Sequence, residues 1–447
     1  MKITRILSAA AACAVAFSLA GCSIKTGTSR FDAIITSINL SDDAVLASPK
    51  GEGIENADSL AITYEQFKKE YLYNLKYYSV SYGVESDTDE AYAESFTELR
   101  SSILSYLIEE TIILDKAPEY GADQFTQEEL DQLESEYQEL LQKQYQTFGE
   151  AEDYSDLESG ESPSTEEVLQ RGEEAFAAYL ADCGLTQDDL LVWQRNALVA
   201  TKLKEAIVKD ITIDRSEAED VLESYIEAVK EIYKTNPAQY ESGSYSTFWI
   251  PGGTRNIKHI LIAFDDADCD EILALRKEEK DAEADALREE CLAPLEEKVD
   301  EVLEKLDGGA DFDELIKEYS ADAVASEYYP DGYQVIPDST SFVSEFVQAA
   351  FELENIGDYK LTSTDYGWHI VLYAGNAEIT QEERDDSINY IHENLISTAK
   401  EETYTKTIEQ WLEDYSFEIN YSALNIPEPE QTEEADGESE ASDSTAE

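Results

Sequence analysis

Residues 256–264 read NIKHILIAF, and the architecture turns on whether this stretch is a strand. It is apolar, has a strand's length, and follows the chain break Pro251-Gly252-Gly253, as a buried β-strand should. A second run of the same kind, YGWHIVLY, occupies residues 366–373. Each run carries one histidine, His259 and His369, in a chain that has only 3. So rare a residue, placed twice inside strands, calls for a chemical reason.

Between these runs the pattern is helical. Residues 299–322, VDEVLEKLDGGADFDELIKEYSAD, read as helix, Gly-Gly loop and short helix, and residues 344–353, SEFVQAAFEL, as another short helix. Residues 265–300 are rich in Asp, Glu, Lys and Ala and are expected to form a solvated helical insertion. Helices enclosed by two strands that can pair predict an α+β domain over 254–376.

Outward from this domain the chain is helical on both sides. Over 59–243, apolar residues recur at three- and four-residue spacing. Thr126 with Glu129 forms a capping-box signature, and Gly121 and Gly149 read as helix stops. The shift to aromatic and β-branched residues near 243–254 predicts the domain boundary. Residues 377–425 predict one long amphipathic helix or a pair. Residues 426–447 contain no Lys or Arg and little to bury, so a disordered acidic tail is expected.

The formal charge is −68 over 447 residues. Such a chain repels phosphate backbones, which excludes nucleic acid as a partner and favours cationic or neutral polypeptides. The first 21 residues have a basic start (Lys2, Arg5) and a short apolar stretch, as in a secretory signal. They end at Leu19-Ala20-Gly21-Cys22, which resembles the lipobox of bacterial lipoproteins. That resemblance implies a lipid on Cys22, cleavage just before it, and a flexible spacer over 22–58. Cys183, Cys269 and Cys291 remain; no Cys-x-x-Cys or Cys/His cluster supports a metal, and Cys269 and Cys291 could pair.

Taken in order, KHILI around His259, GGADFDELIKEYSAD at 308–322, FVSEFVQAAFEL at 342–353 and TDYGWHIVL at 364–372 resemble a parvulin-type peptidyl-prolyl isomerase domain. With the lipobox, the helical arm and the last helix, the layout resembles PrsA/SurA-like extracytoplasmic foldases. The resemblance implies a mostly α-helical chaperone-like region on which the C-terminal helix (377–425) packs, with an inserted α+β isomerase domain on a small antiparallel sheet, tethered on the outer face of the cell membrane. Its partners would be unfolded or partly folded exported polypeptides.

Matched position by position, the resemblance makes His259, Asp322 and His369 the polar floor of the site. Phe342, Phe346, Val335 and Thr364 would be its substrate contacts. The chemistry suits these residue types. A prolyl amide resists rotation by about 20 kcal/mol, and preferential binding of the twisted amide lowers that barrier with no nucleophile, metal or cofactor. One segment departs from the family: YYPDGYQVI at 328–336 replaces a Gly-Gly-containing loop, and two extra residues precede Phe342. A non-catalytic holdase with a degenerate isomerase domain is therefore the alternative.

Overall fold

The computed structural model describes residues 35–152, 154, 162–322 and 325–428. The leader, Cys22 and the tail from 429 lie outside the described residues. The chain divides into two compact units, Met1–Ile211 with Thr398–Glu447, and Thr212–Ser397.

The first unit opens with β1 (Val45–Pro49), which pairs antiparallel with β2 (Ile62–Thr63). This corrects the expectation of a flexible spacer to residue 58, because Leu46 and Ala47 are buried in the unit's main core. Helices α1 (Tyr64–Tyr82), α2 (Ala93–Lys116), α3 (Gln127–Glu150), α4 (Thr165–Asp182) and α5 (Gln187–Val208) follow. Capping boxes at Thr126/Glu129, Ser164/Glu167 and Thr186/Asp189 start α3, α4 and α5, each satisfying two otherwise orphaned backbone N–H groups. Gly149 does not stop α3. It lies inside the helix, where a Cβ would sit 1.9 Å from the Val168 carbonyl oxygen, and a Cβ on Gly172 of α4 would sit 1.7 Å from the Tyr145 carbonyl oxygen. These two glycines let α3 and α4 pack backbone to backbone.

The second unit begins with α6 (Arg215–Thr235) and α7 (Pro237–Ser242), where Asn236 caps and Pro237 opens the shorter helix. The sequence pattern groups these helices with the N-terminal domain over 59–243. They belong instead with the second unit, since Ala218, Leu222 and Ile226 bury their apolar stripe against Ile388 and Trp249.

Strand β3 (Arg255–Ala263) leads into the acidic insertion, which folds as α8 (Asp266–Lys277), α9 (Asp281–Leu292) and α10 (Glu296–Asp307). The insertion is not simply solvated, because Ile272, Ala284 and Leu292 are buried together with Phe264 at the end of β3. Then come α11 (Phe312–Tyr319), α12 (Ala325–Tyr328), β4 (Tyr333–Val335), α13 (Ser344–Glu352), β5 (Tyr359–Thr364) and β6 (Gly367–Asn376). The sheet order is β4-β3-β6-β5, antiparallel throughout. One sheet face packs Ile260, Ile262 and Ile370 on α10 and α11, while Ile257 and Val371 on the other meet α13.

Helix α14 (Gln381–Tyr415) continues into β7 (Phe417–Ile419), which pairs with β1 and completes the first unit's sheet. Tyr404, Ile408, Trp411 and Tyr415 fill that unit's core. Leu424 and Ile426 are buried there too, so ordered chain extends past the expected start of the tail at 426.

Candidate active site

Antiparallel register brings the two strand histidines together. Leu261 of β3 pairs with His369 of β6, and His259 pairs with Val371. His259 and His369 are thus diagonal neighbours on one sheet face, within reach of each other. Their Nδ1 atoms stand 3.1 Å apart and their rings stack at 5.2 Å.

Asp322 reaches the site from the turn after α11. Ser320 positions that turn: its Oγ accepts from the backbone N–H groups of Asp322 (3.2 Å) and Leu261 (3.0 Å). The Ala321 N–H also donates to the Leu261 carbonyl at 2.8 Å, locking the turn to β3. Asp322 Oδ2 lies 2.9 Å from His259 Nε2 and accepts from the Tyr333 hydroxyl at 2.8 Å. At the other end, Thr364 Oγ1 lies 2.9 Å from His369 Nε2 and accepts from the Tyr366 N–H at 3.1 Å.

The partners assign the protons. The His259 N–H holds the Asp322 carboxyl below its ordinary value, and the Tyr333 hydroxyl adds to the effect. An ionised carboxylate only accepts, so His259 donates from Nε2 and, when neutral, offers a bare Nδ1. His369 then donates from Nδ1, and its bare Nε2 accepts from the Thr364 hydroxyl. Burial pushes His369 down to about 3, with His259 reinforcing the shift and Asp322 opposing it. The result is a continuous chain, Thr364–His369–His259–Asp322–Tyr333, in which every donor is engaged. Burial and then the Asp322 carboxylate push the Tyr333 hydroxyl up, so it remains a donor.

Beside this floor stand the aromatic rings. Phe346, on α13, meets both imidazoles edge-on, at 5.3 Å from His259 and 5.8 Å from His369. It is only 2% exposed, and Phe342 stacks on it at 5.5 Å. The partly exposed apolar surface over the dyad is therefore Phe342 and Tyr333, whose rings meet at 5.4 Å. An open cleft of about 170 Å³ continues past His259 and Asp322 toward Tyr329 and Pro330.

Two expected substrate contacts are placed otherwise. Val335 is fully buried among Ile257, Ala350 and Leu353 under α13, so it supports the wall from behind. Thr364 is also fully buried and serves His369.

Other residues of the site did not stand out in the sequence. In the sequence Tyr333 is one residue of the departing segment 328–336, and Ser320 one residue of the motif that ends in YSAD. Glu241 of α7 gave no signal at all. Its carboxylate accepts from the N–H of Thr340 (2.7 Å) and of Ser341 (3.1 Å) and from the hydroxyls of Thr340 (3.1 Å) and Ser339, fixing the loop that carries Phe342. Gly332 permits the turn before Tyr333: its φ is +98°, and a Cβ there would lie 2.7 Å from the Ile257 carbonyl oxygen. Cys269 and Cys291 are both free thiols in this structure.

Residues 251–375 match the family model of the PPIC-type PPIASE domain. Foldase protein PrsA of Clostridium acetobutylicum is 21% identical over 343 residues, covering 77% of this chain and 80% of that protein. Foldase protein PrsA of Halalkalibacterium halodurans is 32% identical over 155 residues, covering 32% of this chain and 43% of that protein. The crystal structure of PrsA from Bacillus subtilis is 18% identical and covers 72% of this chain and 86% of that one, with a TM-score of 0.21. Fold, histidine pair and family match together define a peptidyl-prolyl isomerase domain of the parvulin type. The chain that carries it is similar to PrsA foldases over 77% of its length.

Proposed function

We propose that this chain is a lipid-anchored extracytoplasmic foldase that catalyses cis/trans isomerisation of X-Pro bonds in exported polypeptides, with the lipid on Cys22. In this reading His259, His369 and Asp322 are catalytic. Phe342 and Tyr333 receive the pyrrolidine ring, Phe346 underlies them, and Thr364 fixes the His369 tautomer.

The observation that carries the reading is the fully engaged hydrogen-bond chain from Thr364 to Tyr333. A planar amide has the more strongly accepting carbonyl oxygen, because conjugation places charge on it. A floor whose donors all point at one another offers that oxygen nothing to replace its lost water. The twisted amide, which has given up conjugation, loses less on transfer to such a site. The planar form is therefore destabilised relative to the transition state, which is catalysis by differential binding.

Exchange spectroscopy on an Ala-X-Pro-Phe tetrapeptide tests this. Wild type accelerates exchange, while His259→Ala and Phe346→Ala reduce the acceleration by about tenfold or more. No acceleration by wild type would refute the proposal. The holdase alternative draws support from the enclosure of Phe346 beneath Phe342. It predicts suppression of client aggregation that pocket substitutions leave unchanged.

A further inference from the structure

Two arginines of the acidic insertion reach the turn between β5 and β6. Arg276, on α8, forks onto Asp365, with Nε to Oδ2 at 2.9 Å and Nη2 to Oδ1 at 3.0 Å. Arg288, on α9, lies 3.5 Å from Asp365 Oδ1 and 3.7 Å from a carboxylate oxygen of Glu345, the residue before Phe346. The Asp365 carbonyl accepts from the Cys269 thiol at 3.6 Å, and the Leu292 carbonyl accepts from the Trp368 indole at 3.3 Å. The insertion is thus bolted to the turn at Asp365 and to the start of β6 at Trp368.

Asp365 sits between Thr364, whose hydroxyl meets His369, and Tyr366, whose N–H meets the same hydroxyl. A bidentate guanidinium–carboxylate pair fixes orientation as well as distance. The side chains are 25% (Arg276), 17% (Arg288) and 19% (Asp365) exposed, so solvent and salt screen the cluster only partly.

We propose that Arg276, seconded by Arg288, is a positioning residue of the isomerase site: acting through Asp365, it holds the Thr364 hydroxyl on His369 Nε2. The insertion is then a working part of the site. The inference rests on the dyad reading above, but its test does not depend on turnover. When the turn loosens, the bare Nε2 of His369 loses its donor, and the imidazole is free to exchange tautomers.

The experiment is nitrogen-15 spectroscopy of the imidazoles in the full chain, where only 3 histidines need assigning. In wild type, His369 shows one tautomer, protonated on Nδ1. In Arg276→Ala the His369 signals shift or broaden, turnover falls by about tenfold, and KM changes less than about twofold. Arg276→Lys lies between. Asp365→Asn is the second variant should Arg276→Ala fail to fold, and it shifts His369 in the same way. Folded variants with wild-type His369 signals overturn the inference. An inactive wild type whose His369 signals still respond to Arg276→Ala removes the catalytic reading and leaves the positioning role standing.

Discussion

The neutral state of His369 is the sharpest quantitative consequence of the structure. Its folded-state pKa of about 3 lies well below the ordinary 6.5. Above pH 6.5 both folded and unfolded chains hold it neutral, so it contributes no pH dependence there. As pH falls below 6.5 the unfolded chain takes up a proton that the folded site refuses, and stability drops by about 1.4 kcal/mol per pH unit. Acidification from pH 6.5 to 5 should therefore cost the second unit about 2 kcal/mol, and the full window to pH 3 about 5 kcal/mol. Glu70 acts in the opposite direction in the first unit. Burial, then the Glu110 charge, push its carboxyl up to about 8, so that unit gains stability as pH falls from 8 toward the ordinary 4.5.

A whole-chain melt mixes these two slopes. The assay must resolve the units, through amide-exchange protection of Ile260, Ile262, Ile370 and Val371 beside an imidazole titration. A His369 midpoint near 6.5, or strand protection that stays flat from pH 6.5 to 5, would show that the folded site accepts the proton.

Three other perturbations separate the parts of the site. Tyr333→Phe removes one of the two donors to Asp322, so the Asp322 carboxyl should titrate higher in carbon-13 spectra and the second unit should lose about 1 kcal/mol. Glu241→Ala frees the loop before Phe342; KM for prolyl peptides should rise severalfold, while the imidazole signals of His259 and His369 stay in place. The net charge of −68 predicts that basic or neutral unfolded clients bind better than acidic ones, with the preference fading between 0.05 and about 0.5 M salt in a fluorescence titration.

Much of the site could be read from the sequence because its chemistry lies on regular elements. Two histidine-bearing strands with short helices between them carry the parvulin-like pattern, and that resemblance implies that His259 and His369 meet, which the strand register then accounts for. What escaped were non-local effects. Val335 has the same strand parity as Tyr333, but parity does not report that α13 covers that end of the strand. Thr364 looks available beside a glycine turn, and only the fold turns its hydroxyl onto His369. Glu241 precedes its loop by about a hundred residues and belongs to a short helix with no motif.

Strand β1 has five residues, VLASP, and gains its second partner from residues 417–419, which no local pattern foretells. Gly149 near the end of a periodic run reads as a stop. Its actual role appears only once α4 lies against α3 with Gly172 in register. The acidic insertion hid its small core because so few apolar residues, Ile272, Ala284 and Leu292 among them, are spread through charged sequence.

The most direct test joins turnover to the dyad itself. A prolyl peptide is titrated into the full chain, and its cis/trans exchange cross-peaks are recorded together with the His259 and His369 imidazole signals. The account predicts accelerated exchange and imidazole shifts that saturate at the same peptide concentration. Unaccelerated exchange with both imidazoles unmoved at saturating peptide would contradict it.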